Sequence, residues 1–355
     1  MSGNLSREFI ESVTSRLSLV ELVSRRISIK KAGREHTGKC PFHEDASPSF
    51  SVNEEKKVFY CFGCGASGGM IQFIMDFDKL DFISAIKLLA SEAGIELPSN
   101  KTGPLEEEKN LILRILEKSD QLFRKQLKIN NKRHRCINYL KDRTVTGETA
   151  KFFGLGFAPN EWNFLISSFK EFSDTNLLVK AGLICQTNNQ FYDRFRNRVM
   201  FPIRDLNGQT VGFGGRIIDG GKPKYLNSPE SIVFKKSTLL YGQYEARKRH
   251  SKLEFILVVE GYMDVISLSQ HGITNSVATL GTSLSQRHIE KLSRGTQHII
   301  VCFDGDLAGE KAAMRALVAV LPFLKDDFNV GFLFLPDGED PDSIIRKEGK
   351  ESFVQ

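Results

Sequence analysis

The residues best placed to do chemistry are acids standing where short apolar runs end. Residues 255–259 stop at Glu260, residues 299–303 at Asp304-Gly305-Asp306, and residues 330–335 shortly before Asp340-Pro341-Asp342. One acid after such a run is most often a helix cap or a turn residue. Several converging on one edge repel one another unless a cation neutralises them, and hard carboxylate oxygens select Mg2+ or Mn2+. Asp304 and Asp306, two apart across a glycine, can both face one ion. Such a cluster suits two-metal displacement at phosphorus, one ion on the attacking oxygen and one on the leaving group.

Placing these acids together requires parallel strands. The runs at 255–259, 276–280, 299–303 and 330–335 are short and aliphatic, and helical patterns separate them. That alternation predicts strands joined by helical crossovers, with the chemistry just past their carboxyl ends.

Upstream the chain is basic. Lys132, Arg133, Arg135, Lys141 and Arg143 form one cluster. If residues 192–199 are extended, Arg194, Arg196 and Arg198 share a face at intervals of about 6.6 Å. Such a face is compensated either by a phosphate backbone or by carboxylates of a neighbouring strand. VGFGGR at 211–216 lacks G-x-G-x-x-G spacing and a following helix, so its glycines are expected to permit a bend or a close approach, not to bind a dinucleotide. KPKYLNSPE then sets Lys222, Lys224, Tyr225, Asn227 and Ser228 in a polar loop, and FKKS adds Lys235 and Lys236. These groups can hold phosphate.

Near the N-terminus, Cys40 and His43 are two residues apart, as are Cys61 and Cys64, with two strand-like runs between the pairs. Two knuckles flanking a hairpin bring four ligands to one point, the closed tetrahedral set of a structural zinc. Phe42, Phe50, Phe59, Tyr60 and Phe62 crowd this module among lysines and arginines. Each ring serves either to stack a single-stranded base or to pack a small core.

With 355 residues the chain accommodates two or three domains. A net charge of +6 fits a nucleic-acid partner, and six unevenly spread cysteines argue for metal or burial over a disulfide framework. No apolar run approaches a membrane span and no apolar signal core precedes the first helix, so a cytoplasmic protein with no membrane partner is expected. Helices are expected over 70–77, 82–93 and about 105–127, with PSNKTGP at 98–104 breaking the pattern.

Taken together, E-G-Y-M-D at 260–264, D-G-D-x-A-G at 304–309 and D-P-D at 340–342 resemble the TOPRIM fold of bacterial replicative primases of the DnaG type. CPFH with CFGCG, then RFRNRVMFPI, GFGGR and KYLNS, resemble the same family in the same order. The resemblance implies DNA-directed synthesis of short RNA primers from ribonucleoside triphosphates on a single-stranded DNA template during replication. It implies metal-binding and catalytic roles for Glu260, Asp304 and Asp306, assisted by Asp264, Asp340 and Asp342. Arg143, Arg216, Lys224, Tyr225 and Lys236 fall at the family's template- and nucleotide-binding positions, and the zinc ribbon would help select the start site. The implied fold is a multidomain α+β and α/β chain: a zinc ribbon over 1–97, a linker over 98–110, a basic subdomain of the RNA polymerase core over 111–250, and a TOPRIM subdomain over 251–355. Family members continue beyond D-P-D into a helical domain that contacts the replicative helicase; this sequence stops at Gln355, so that contact is not carried over. Two rivals are weaker. Another TOPRIM enzyme, a type IA topoisomerase or a nuclease, shares the acidic edge, but a topoisomerase needs a tyrosine domain and an acid where Ala308 stands; a non-catalytic zinc-dependent single-strand binder has no use for intact acids.

Overall fold

The computed structural model describes residues 7–354 apart from 46, 79, 96–102, 130–132, 171–174, 189, 251–252 and 325–327. Lys132 and residues 98–102 of the expected linker therefore lie outside the described residues. The chain forms two compact units, Met1–Lys101 and Thr102–Gln355.

In the first unit, α1 (Arg7–Ser15) and α2 (Leu19–Ser24) precede an antiparallel sheet with strand order β1 (Ile29–Ala32), β2 (Glu35–Gly38), β3 (Phe50–Asn53), β4 (Val58–Cys61), β5 (Ser67–Gly68). The helices α3 (Met70–Phe77) and α4 (Phe82–Glu92) follow. Ser18 caps α2 by accepting the Glu21 N–H at 3.2 Å, as its S-x-x-E spacing suggests. Phe50, Phe59 and Phe73 are buried with ring centroids 5.3 to 6.1 Å apart, so these rings are core. Tyr60 and Phe62 remain 45% and 76% exposed, in an edge-on pair at 4.9 Å.

The second unit opens with α5 (Pro104–Ile129), which corrects the expected linker: residues 104–110 are already helix. Proline suits the first helical position, and Glu106 and Glu107 favour the positive helix end. After α6 (His134–Asp142) and α7 (Gly147–Phe153) comes β6 (Gly156–Ala158), then α8 (Phe164–Ser168), α9 (Thr175–Lys180) and a hairpin of β7 (Ile184–Thr187) with β8 (Gln190–Asp193). Next are β9 (Arg198–Arg204), β10 (Thr210–Ile217), β11 (Tyr225–Asn227) and α10 (Gln243–Arg249), giving an antiparallel sheet of order β11-β10-β9-β6. VGFGGR lies within β10, where a Cβ on Gly214 would come 2.4 Å from the Tyr262 ring. Its glycines permit close approach.

The chain then alternates: β12 (Ile256–Val259), α11 (Tyr262–Gln270), β13 (Ser276–Ala278), α12 (Gln286–Ser293), β14 (His298–Phe303), α13 (Leu307–Val320), β15 (Asn329–Phe334) and α14 (Pro341–Val354). All pairings in this sheet, of order β13-β12-β14-β15, are parallel. Leu257 and Val259 enter the core shared with α11 and β9, while Ile256 and Val258 pack with Ile289 and Ala316 on the other face. Burial on both faces is why β12 reads as an unbroken apolar run. Among the described residues no helix is long and apolar enough to cross a membrane.

Candidate metal centre and nucleic-acid interface

Parallel pairing puts the carboxyl ends of β12, β14 and β15 on one edge, and Glu260, Asp304 and Asp306, and Asp340 and Asp342 follow those ends. Gly305 lets the loops close: a Cβ there would meet Pro336 O at 1.9 Å, and Gly305 N–H donates to Glu339 O at 3.1 Å. The loop after β15 is thereby pressed against D-G-D.

The acids feel one another. Burial raises the Asp304 carboxyl to about 7, and Glu260, Asp340 and Asp306 push the same way. Glu260 is raised by burial and then by Asp306. Asp264 stands behind them, raised to about 8 by burial, Asp304 and Asp340, and it caps α11 by accepting Gly261 N–H at 2.8 Å. Asp306 and Asp340 each give one oxygen to a helix start, at Gly309 N–H (2.7 Å) and Ser343 N–H (2.6 Å). The cap reading and the site reading thus hold for the same residues. Asp304 Oδ1 is buried with no hydrogen-bond partner. An orphaned carboxylate oxygen among mutually repelling acids is what a divalent cation would satisfy, though no three of these carboxylates bring their oxygens within 4.8 Å of one another. Cavities of about 1100 Å3, beside Asp304, Asp306 and Phe334, and about 440 Å3, beside Glu260, Thr279 and Arg315, flank the edge.

Asp342, expected to assist the metal-binding acids, is paired with arginines. It is 1% exposed, and Arg143 and Arg346 hold its carboxylate, the latter by contacts of 3.1 and 3.2 Å. Two guanidiniums pair with it, so it ties Arg143 and Arg346 to the start of α14.

On the basic side, Arg216 donates to Tyr225 Oη at 2.8 Å, with its guanidinium 4.7 Å from the Tyr139 ring and 5.2 Å from the Tyr225 ring. Arg143 lies 5.9 Å from the same Tyr139 ring. Two expected binding residues are thus gathered on a tyrosine that the sequence did not single out. Lys224 is exposed and Lys236 half-buried.

The shared arginine face is not formed. β8 ends at Asp193, and Asn197 has φ of 51°, which breaks any single strand over 192–199. Arg198, 5% exposed, donates to the carbonyls of Gly215, Lys224 and Pro223, so neither phosphate nor carboxylate compensates it. Arg194 donates to Asn227 O at 3.4 Å. Arg196 donates to Asp193 O and lies 4.1 Å from the ring of Trp162, the chain's one tryptophan, which is 63% exposed. No spacing rule links residue 162 to residue 196, so the pair is not legible before the chain folds. Ser228 is 1% exposed and accepts Phe213 N–H at 3.0 Å, which takes it out of the polar loop. Asn227 joins the two sheets, accepting from Tyr262 Oη at 2.7 Å and donating to Leu280 O at 2.9 Å.

In the first unit, Cys40, His43, Cys61 and Cys64 bring their ligand atoms within 4.8 Å of one another, the one such group of three or more found among the described residues. His43 Nδ1 faces Cys61 Sγ at 3.8 Å, and its Nε2 faces Asp45 Oδ1 at 3.8 Å, the second partner that fixes a ligating ring. Against burial, hydrogen bonds from Ser49, Cys64 N–H and Gly63 N–H bring the Cys61 thiol down to about 6, toward the thiolate a metal needs. Three sulfurs and one imidazole fit a structural zinc.

Family models match three stretches in order: a CHC2 zinc finger over residues 5–104, the N-terminal domain of the DNA primase catalytic core over 122–247, and a Toprim-like domain over 257–345. A DNA primase of Pseudomonas aeruginosa is 48% identical over 364 residues, covering 99% of this chain and 54% of the relative. One from Escherichia coli K12 is 44% identical over 359 residues, covering 99% of this chain and 62% of the relative. The chain thus spans little more than half the length of the curated relatives it matches. Among solved structures, the zinc-binding and RNA polymerase domains of the Aquifex aeolicus primase align over 100% of this chain and 84% of that one, at 34% identity and a TM-score of 0.63. A DnaG primase catalytic domain bound to single-stranded DNA aligns over 70% of this chain and 80% of that one, at 42% identity and a TM-score of 0.67. With zinc ribbon, catalytic core and Toprim sheet matched in sequence, order and fold, the chain belongs to the DnaG-type family of bacterial DNA primases.

Proposed function

We propose that this chain synthesises short RNA primers from ribonucleoside triphosphates on a single-stranded DNA template, in the cytoplasm at the nucleoid. The observation that carries the reading is Asp304: a half-buried carboxylate whose Oδ1 is orphaned and whose proton affinity is raised to about 7, set among Glu260, Asp306 and Asp340. Glu260, Asp304 and Asp306 would hold divalent cations, which when bound would supply neutralisation of charge at the reacting phosphate and acidification of the attacking 3′ hydroxyl. The chain's own groups do the rest. Arg216 and Lys224, with Lys236 from the adjacent loop, bind phosphate oxygens, and Arg143, held by Asp342, adds a fixed positive charge at the boundary of acid and base. Tyr225 orients Arg216. Exposed Tyr60 and Phe62 in the ribbon, and Trp162 backed by Arg196, offer rings on which template bases stack.

The domain limits proposed are a zinc ribbon to about residue 97 and a catalytic core from Pro104 onward, with its Toprim sheet starting at β12. The test supplies the chain with single-stranded DNA, four labelled ribonucleotides and Mg2+ or Mn2+. Short RNA dependent on template and cation is expected. Template binding with no RNA under any of these conditions would replace the reading with that of a single-strand binding module.

A further inference from the structure

Residues 228–238, which carry Lys235 and Lys236, lie between β11 and α10 and belong to neither large sheet. What fixes them is α12, from the far face of the parallel sheet. Ser285 Oγ donates to the Ser237 carbonyl at 2.8 Å, His288 Nε2 to the Lys236 carbonyl at 2.8 Å, and Lys291 Nζ to the Thr238 carbonyl at 3.0 Å. Side chains spaced three apart share one helix face. Here they take three consecutive carbonyls.

His288 is the centre of this clamp. It is 0% exposed, and its Nδ1 accepts the Ser285 N–H at 3.2 Å. A carbonyl can only accept, so Nε2 must carry the proton, and the neutral Nε2–H tautomer alone satisfies both ring nitrogens. Burial keeps the imidazole below its usual pKa, in that neutral form. From inside the loop, Glu230 Oε1 accepts Lys236 N–H at 2.9 Å, and Phe234 is buried against Gly212, where a Cβ would come 2.6 Å from its ring. A histidine needed only to cap α12 would use Nδ1 and the backbone; the contact through Nε2 reaches 52 residues back to the residue expected to meet phosphate.

We propose that His288 is a positioning residue: with Ser285 and Lys291 it clamps residues 236–238 and fixes the backbone from which Lys236 reaches the substrate phosphates. The clamp is read from the structure; its use rests on the primer-synthesis reading. The test compares the full chain with His288→Leu, which removes both ring contacts, and His288→Gln, which keeps a donor. Hydrogen exchange in residues 230–239 should speed by about tenfold or more in His288→Leu and by less than about threefold in His288→Gln. KM for ribonucleotides should rise about tenfold in His288→Leu with kcat nearly kept, recover in His288→Gln, and rise no further when His288→Leu is added to Lys236→Ala. Unchanged exchange over 230–239, or effects of His288→Leu and Lys236→Ala that multiply, would overturn the proposal. If the wild-type chain makes no RNA, the functional reading fails while the exchange measurement still decides the clamp. Lys291→Met carries the same exchange test should His288→Leu not fold.

Discussion

Asp304 and Asp342 lie on the same sheet edge, yet one has an unpartnered buried oxygen and the other is held by two arginines. The difference predicts opposite phenotypes. Asp342→Asn leaves Arg143 and Arg346 without their counter-charge and should cost about 3 kcal/mol of unfolding free energy, read by urea titration, with Mn2+ affinity unchanged. Lost Mn2+ affinity at undiminished stability would make Asp342 a ligand instead. A second buried acid, Asp120 on α5, touches Arg124 at 2.8 Å, and burial outweighs that arginine to raise its carboxyl to about 6. A carboxyl raised on folding is protonated more readily in the native state. Its contribution is therefore full below pH 4 and is lost as pH rises through 6, by roughly 3 kcal/mol at most. Unfolding free energies at pH 4 and 7 should show this loss in the wild type and a smaller one in Asp120→Asn; equal losses would show that Asp120 does not titrate on folding.

At the scale of elements, what the sequence announced was what local pattern encodes. β12, β14 and β15 were legible because apolar runs end at acids, and Cys40, His43, Cys61 and Cys64 because knuckle spacing is a ligand geometry. What failed was whatever depends on a bend or a distant partner. Asn197 at positive φ separates β8 from β9 and scatters Arg194, Arg196 and Arg198, a turn that the alternating RFRNR pattern does not signal. Asp342 and Arg143 are 199 residues apart, and His288 and Lys236 are 52 apart, on elements that meet only once the sheets are assembled. Tyr139 escaped notice for the same reason. Its ring gathers Arg143, just past the end of α6, and Arg216 of β10.

At the scale of the molecule, the chain carries two units with separate cores: the phenylalanine cluster around the zinc ligands, and the clusters around the two sheets of the second unit. Structural zinc contributes folding free energy only where it binds. A strong chelator should therefore abolish the calorimetric transition of the first unit and leave that of the second unmoved, with about one zinc released per chain. A shift of both transitions would contradict separate folding. On the proposed function, a net charge of +6 favours a polyanionic template in a salt-sensitive way, and neutralising one acid raises that charge, so template binding can be separated from catalysis. That separation allows the central claim to be tested by one comparison, template-directed RNA synthesis and template affinity measured side by side for the wild type and Asp304→Asn. Asp304→Asn should lose RNA synthesis by about a thousandfold or more while binding template within about threefold of wild type; RNA synthesis by Asp304→Asn at the wild-type rate would refute a catalytic role for Asp304.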